Sequence, residues 1–158
     1  MEMGPTQIRK YEEYAYVLDS KSRSKSTTVR GRTGIIVIAI GEERLTLLEI
    51  LGIENSTFDV DERIYIGKEG RTKVQSVLGK MDYVKISDSA KNEIPIVIES
   101  IVTKNEKKFV DYINNAQPLT PRIHALELIP GIGKTYMTVI IKEREKEPFE
   151  SFHDIEKR

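Results

Sequence analysis

A tight turn at residues 130–133, Pro-Gly-Ile-Gly, constrains the fold of this chain more than any other segment, because apolar stretches stand on both sides of it. Pro130 lacks an amide N–H and disfavours helical geometry at Ile129, so it is expected to end a helix. Gly131 and Gly133 allow a positive φ and let a ligand approach the backbone closely. A second helix is predicted directly after the turn, where unpaired N–H groups carry the positive end of the helix dipole. Two helices joined in this way direct backbone N–H groups at an anion.

The segment around the turn resembles the helix-hairpin-helix motif, a small nucleic-acid-binding unit of many repair and replication proteins that does not read sequence. The matching residues are Leu126, Ile129, Ile140, Ile141, Phe149, Ser151, Asp154 and Ile155. Met137 departs from the motif, which usually has Ala there for packing helix on helix. The residues predicted to contact a phosphate are Gly131, Ile132, Gly133, Lys134 and Thr135, with the Lys134 side chain as an additional contact. The resemblance also implies a monovalent cation held by the hairpin carbonyl groups against the phosphate, and no other cofactor is expected.

Two other interpretations of the turn compete with phosphate binding by a hairpin. The run Gly-Lys-Thr at 133–135 is similar to the end of a P-loop. That loop needs a glycine where this chain has Leu128, and a strand where this chain has a helical pattern, so an NTPase is rejected. A pair of helices used only for packing or for contact with another protein remains open.

Composition favours a protein of the cell interior. The chain has 158 residues, enough for one ordinary domain or two small ones, and 39% of them are hydrophobic. It has no cysteine, which excludes disulfides and thiolate metal sites and fits a reducing compartment. The longest apolar run, 35–40, is too short to span a membrane, and residues 1–10 lack the apolar region of a signal peptide. A cytoplasmic location without membrane contact is therefore expected.

Charge predicts local rather than global attraction to nucleic acid, because the formal net charge is +0. Between Asp19 and Glu42 every charged residue is basic, and hydroxyl side chains stand among them. The predicted second contact surface consists of Arg23, Lys25, Arg30 and Arg32. A loop that is merely solvated is the competing interpretation.

The pattern of elements predicts an α+β protein. About five short strands with a long basic first loop suggest a small OB-like β-barrel over residues 1–87, a fold that often binds oligonucleotides. A helical domain is predicted over 88–158, with the helix-hairpin-helix at about 120–145. Its first hairpin helix is expected to run from a Thr120 cap to Leu128. Residues 70–78 are expected to be irregular or a short helix, and 83–86 a short strand.

No catalytic set is recognisable, so the chain is not expected to be an enzyme. The two histidines, His124 and His153, lack a metal-binding pattern and are expected to pack or to face solvent. Asp59, Asp61 and Glu62 lie close together and could hold a divalent ion, but a solvated acidic turn is favoured because metal sites need a defined ligand geometry.

A wider resemblance covers nearly the whole chain. The segments KYEEYAYVLD, RIYIGK, NNAQPLTPRIHALELIPGIGK and PFESFHDI resemble the mainly archaeal domain of unknown function 655 family. This resemblance implies an archaeal source, binding of RNA or another nucleic acid, no known enzymatic activity, and further chain after the segment at 154–155.

The predicted function is non-sequence-specific binding of RNA or DNA through backbone phosphates, with RNA preferred on the family resemblance alone. A single hairpin is half of the paired arrangement that grips a duplex, which favours single-stranded or structured RNA. A protein-interaction module is the first alternative. The second alternative is an accessory domain of a nuclease or ligase. A divalent ion bound at the 59–62 turn would favour that alternative.

Overall fold

The computed structural model describes residues 12–20 and 27–158, which form a mixed α+β structure. The strands are β1 (Tyr14–Ser20), β2 (Thr27–Val29), β3 (Arg32–Gly41), β4 (Leu47–Ile53), β5 (Arg63–Tyr65) and β6 (Val74–Lys80). The α-helices are α1 (Asp88–Lys104), α2 (Glu106–Asn115), α3 (Lys134–Lys146) and α4 (Phe152–Lys157), and two 3-10 helices cover Tyr83–Lys85 and Ala125–Leu128. Among these helices none is both long enough and apolar enough to cross a bilayer.

The described strands form one antiparallel sheet with the order β5-β1-β3-β4-β6, and β2 extends the β1 side of β3. The predicted α+β class is confirmed. The predicted closed OB-like barrel is wrong, because the described part of β5 and that of β6 lie at opposite ends of this order and the sheet is open. The strand pattern alone could not reveal this, since closure depends on whether the first and last strands pair.

Both faces of the central strands are buried, which explains their continuous apolar runs. In β1, Ala15 and Val17 belong to a core cluster with Phe58 and Ile64. Tyr16 and Leu18 belong to a second cluster on the other face of the sheet. Helix α1 covers that second face through Ala90, Val97 and Ile101. The first compact unit of the chain therefore extends to Ile101, past the predicted boundary at 87, and the second unit is Val102–Arg158.

Strand β6 replaces the irregular segment that was predicted at 70–78. Two register shifts interrupt its pairing with β4, between Glu49 and Ile50 and between Leu51 and Gly52 of the partner strand. Each extra residue disturbs the alternation of apolar and polar positions, so the period of two is lost from the sequence. The predicted strand at 83–86 is likewise wrong, because a 3-10 helix covers most of that segment.

The second unit is built around Leu126, whose side chain is fully buried. Residues of α2 and α3 pack around it, including Ile113 and the adaptable Met137. Arg144 of α3 donates from Nη1 to the carbonyl oxygens of Ile113 at 3.0 Å and Ala116 at 2.9 Å, which satisfies the end of α2.

The last helix, α4, begins directly after Ser151. The Ser151 hydroxyl accepts the N–H of Asp154 at 2.9 Å, and the Asp154 carboxylate accepts the N–H of Glu150 at 3.1 Å. These reciprocal bonds form a cap for the helix. The Glu150 amide and then Arg158 hold the pKa of Asp154 below its usual value.

Candidate functional site

The segment before the hairpin departs from the predicted helix at 121–128. The helix is a single 3-10 turn that begins after His124, and the residues before it form a bridge between Pro118 and His124. The Thr120 hydroxyl accepts the N–H groups of Arg122 and Ile123, at 3.2 and 3.0 Å. Thr120 therefore stabilises a local turn rather than a helix, as Ser and Thr side chains often do.

His124 is the actual N-cap of this short helix, and its side chain is buried. Its Nδ1 accepts the N–H of Leu126 at 3.1 Å, while Glu127 Oε2 accepts the N–H of His124 at 2.7 Å. Glu127 Oε1 also accepts a hydrogen bond from Lys134 Nζ at 3.0 Å. The His124 amide, and then Lys134, lower the pKa of Glu127. This network fixes the short helix and the start of α3 together.

The two glycines of the turn have different conformations. Gly131 has a φ of +92°, which L side chains rarely adopt, so the turn itself requires glycine there. Gly133 has extended backbone, with a φ of −98°, and a Cβ built at this residue meets nothing within 4 Å. The N–H of Ile132 closes the turn onto the carbonyl of Ile129 at 3.0 Å. Gly133 is therefore not needed for the fold of the turn, and its missing side chain leaves open space.

Helix α3 presents a row of unoccupied amides at this open space. Its first internal backbone bond is from the Met137 N–H to the Gly133 carbonyl at 2.9 Å. Within the described residues no group accepts from the N–H of Gly133, Lys134, Thr135 or Tyr136, and no side chain caps the helix. Its first turn also contains no acidic residue. The positive end of the α3 dipole is therefore open to an anion.

The structure places the predicted hairpin residues in distinct roles. Gly131, Gly133 and Thr135 are exposed, whereas Ile132 is half-buried and packs against the cluster around Leu126. The Lys134 ammonium is engaged within the protein, because its Nζ donates to the Arg122 carbonyl at 2.8 Å and to Glu127 at 3.0 Å. Neither partner of Lys134 has a signal in the sequence, although the spacing of His124 and Glu127 matches that of a capping box.

Part of the predicted basic loop is an ordered β-hairpin of the first unit. Arg30 and Gly31 form a two-residue turn with φ values of 51° and 79°, the signs that a type I′ turn requires. The Thr28 and Thr33 hydroxyls lie 3.0 Å apart across the strands below it. The turn holds the exposed Arg30 and Arg32 close together. The other two predicted residues, Arg23 and Lys25, lie outside the described residues.

The acidic turn at 59–62 is held by internal contacts. Glu62 accepts from Lys73 Nζ at 2.6 Å and from the N–H of Asp59 at 3.1 Å. Burial raises the pKa of Glu62, but these two hydrogen bonds outweigh it, so its pKa lies below the usual value. Across residues 12–20 and 27–158 no group of three or more acidic or histidine side chains is arranged to hold a metal ion.

Comparison with known proteins identifies the family. A family model described as "Protein of unknown function (DUF655)" matches residues 11–158. The chain is 37% identical over 155 residues to the uncharacterized protein MJ0038 of Methanocaldococcus jannaschii, covering 95% of this chain and 68% of that protein. It is also similar to the crystal structure of Af1531 from Archaeoglobus fulgidus, with a TM-score of 0.82 and 42% identity over 93% of this chain and 83% of that one. The chain belongs to the DUF655 family, whose relatives named here are archaeal.

Proposed function

We propose that this protein binds nucleic acid, preferably RNA, through backbone phosphates at the N-terminus of α3. The observation that carries the proposal is the row of unoccupied amides from Gly133 to Tyr136 beside open space. In this proposal the 3-10 helix, the turn and α3 act together as a helix-hairpin-helix whose first helix is reduced to one turn. Contacts of this kind fix position on the backbone without reading sequence.

The main contact is assigned to the backbone rather than to the Lys134 side chain. Lys134 Nζ would have to leave Glu127 and the Arg122 carbonyl to reach a phosphate. A phosphate that binds the N–H groups of α3 displaces no hydrogen bond among the described residues, and the missing side chain of Gly133 allows it to approach closely. Lys134 then serves to position the first turn of α3, and its ammonium adds positive charge nearby.

A second contact surface is proposed at the Arg30–Arg32 turn of the first unit. Both guanidinium groups are carried on an ordered hairpin, so binding does not require a loop to be ordered first. Arginine suits phosphate because its planar fork can donate two parallel hydrogen bonds. Arg23 and Lys25 remain predicted members of this surface.

The monovalent cation that the motif implies also remains a prediction. The turn leaves the carbonyl oxygens of Pro130 and Gly131 without a donor among the described residues. Carbonyl oxygens are suitable ligands for a hard cation, which would add positive charge beside the phosphate.

The preferred target is RNA that offers a single backbone. The sequence contains one Gly-x-Gly turn, at 131–133, so it supplies one such site and no matched site for an opposite strand. Binding to a DNA duplex is therefore expected only at about the non-specific level of 10⁻⁴–10⁻⁶ M at physiological salt. A bulged RNA is expected to compete at least as well as a matched DNA duplex. A clear preference for the duplex would contradict the assignment to RNA and favour hairpins paired between two copies.

Replacement of Gly133 by Val tests the hairpin itself. Its backbone is extended and its surroundings are open, so the protein should stay folded while the added side chain obstructs the amides. Binding of a labelled bulged RNA is measured by fluorescence anisotropy and folding by circular dichroism. We expect a sharp loss of affinity with an unchanged spectrum. Unchanged affinity in a folded variant would refute phosphate binding at α3.

Exposed apolar side chains of the second unit support a second candidate function, contact with another protein. The side chains of Leu119, Leu128 and Tyr136 are 58%, 64% and 66% exposed. Large exposed apolar groups often mark protein interfaces when they form a patch. The two functions differ in their response to salt, because nucleic-acid affinity falls steeply with ionic strength. Absence of salt-dependent binding to any nucleic acid would favour the protein-interaction function.

A further inference from the structure

A cavity of about 780 Å³ lies in the first unit, on the side where the sheet stays open. Its walls come from the segment after β5 and from β6, which stand at the two ends of the sheet order. The residues just before β1, the β3–β4 connection and Leu48 of β4 complete the lining. In a closed barrel, β5 and β6 would pair here and their side chains would fill this space. The volume is within the range of sites that bind small organic molecules.

The inner wall of the cavity is apolar. Leu48 and Ile66 are 7% and 3% exposed, and both belong to the core cluster on this face of the sheet. Half-buried Val77 packs against the same cluster and also lines the cavity. The cavity therefore opens directly onto the hydrophobic core, and a flat apolar group could lie against it at low desolvation cost.

Arg71 holds the two edges of the sheet at a fixed separation. Its guanidinium donates to the carbonyls of Ile66 at 3.0 Å and Gly67 at 2.7 Å, after β5. It also donates to the Gln75 carbonyl in β6 at 3.0 Å. These bonds cross from one edge to the other where strand pairing is absent. The cavity is therefore built by specific contacts rather than left by loose packing.

The mouth of the cavity is predominantly basic. Three exposed cationic side chains line it, Arg44, Lys68 and Lys80, in addition to Arg71. The lining acids are Glu12 and Glu13, and Glu12 accepts the N–H groups of Glu43 at 2.8 Å and Arg44 at 2.7 Å. Among the lining residues that the structure describes, four cations against two carboxylates leave an excess of positive charge at the mouth.

We propose that this cavity binds a nucleotide, with the base against the apolar wall and the phosphate at the basic mouth. An apolar wall alone would suit any hydrophobic group, but the cations select a ligand with an anionic end. The hydroxyls of Thr46 and Ser76 and the carboxylate of Glu13 also line the cavity and can bond the polar edge of a base or a ribose. The nucleotide is either free or the phosphorylated end of an RNA, since both present the same groups. This site belongs to the first unit and does not depend on the α3 hairpin.

The test uses the full chain and adenosine 5′-monophosphate as the probe, with adenosine and inorganic phosphate as partial ligands. Binding is measured by isothermal titration calorimetry and by amide shifts in nuclear magnetic resonance spectra. Lys80→Glu reverses a charge at the mouth and should weaken the nucleotide at least about tenfold while leaving adenosine nearly unchanged. Lys85→Glu makes the same charge change at an exposed residue that does not line the cavity, and should leave nucleotide binding unchanged.

Ser76→Trp tests the apolar half, because its indole should fill the cavity and weaken adenosine and the nucleotide alike. Thermal melting checks that each variant is folded. If Ser76→Trp does not fold, Lys80→Glu still tests the site. Gly133→Val should bind the nucleotide normally, which separates this site from the proposed hairpin function. No binding of the nucleotide at millimolar concentration, or equal effects of the Lys80 and Lys85 changes, would overturn the proposal. Competition by 5′-phosphorylated RNA but not by its 5′-hydroxyl form would identify an RNA end as the ligand. If neither RNA competes, the ligand is a free nucleotide.

Discussion

Replacing Gly133 with Asp should raise the stability of the second unit and lower its affinity for nucleic acid. Gly133 is the N-cap of α3, and its extended backbone and open surroundings accept a side chain without strain. An Asp carboxylate there can accept a hydrogen bond from one of the unoccupied N–H groups at the start of α3. A better cap than glycine is worth a few tenths of a kcal/mol, and the helix dipole adds about 0.3–1 kcal/mol. The sum, about 0.5–1.5 kcal/mol, corresponds to an increase in melting temperature of roughly 2–12 °C for a small domain.

The same carboxylate should oppose a phosphate. It occupies the amides and places a negative charge beside the proposed phosphate site. Repulsion between unit charges about 4 Å apart costs roughly 1 kcal/mol in water and about 4 kcal/mol near a protein surface. Affinity for a bulged RNA should therefore fall about 5- to 1,000-fold. Stability and binding are thus expected to change in opposite directions, which a purely structural role of the hairpin would not produce.

A matched control is available in the same unit. His153→Asp also adds one carboxylate to the first turn of a helix, α4, at an exposed residue. It should stabilise the unit similarly without weakening RNA binding. Melting is followed by circular dichroism, amide exchange in α3 reports the local effect, and affinity is measured by anisotropy. Equal losses of affinity in the two variants would attribute the effect to net charge. A stabilised Gly133→Asp protein with unchanged affinity would refute the assignment of the phosphate site to α3.

Three further outcomes are expected. Changing Arg30 and Arg32 together to Ala should flatten the slope of log K against log salt by about 1.4–1.8 units if each contacts a phosphate, and an unchanged slope would exclude them. Leu126→Ala, at a fully buried position, should cost about 2–5 kcal/mol of unfolding free energy in denaturant titration, and a cost near zero would contradict the assigned core. Glu62 has a lowered pKa, so the stability from its bond to Lys73 exists above the unfolded-state pKa and is lost as pH falls through the folded-state pKa. The stability deficit of Glu62→Gln should therefore be present at neutral pH and shrink in acid, and a deficit independent of pH would contradict the pairing.

Elements whose signals are local could be predicted from the sequence. The apolar run of β3 and the start of α3 after the glycine turn both lie within a few residues of the signals that specify them. The division of the chain into a strand-rich first half and a helical second half follows from the same local patterns. What could not be predicted depends on partners distant in sequence.

Strand β6 illustrates one such limit. Val74 and Val77 are three residues apart yet both contact the same core cluster, because the register shifts in the pairing with β4 break the alternation. A pattern of this spacing is more typical of a helix, so periodicity misleads. Whether β5 and β6 pair to close a barrel could not be predicted from the sequence either. Arg71 donates hydrogen bonds to backbone carbonyls at both edges, and backbone carbonyls have no signature in the sequence.

The hairpin shows a second limit, since two glycines of the same motif have different physical roles. Gly131 is required by a positive φ, and any side chain there would strain the turn. Gly133 adopts a conformation open to all residues, and its surroundings would accept a side chain. Folding therefore explains the first glycine but not the second. A cap such as Ser or Asp would stabilise α3 better, and the proposed phosphate contact, which needs the amides uncovered, would account for a glycine at 133.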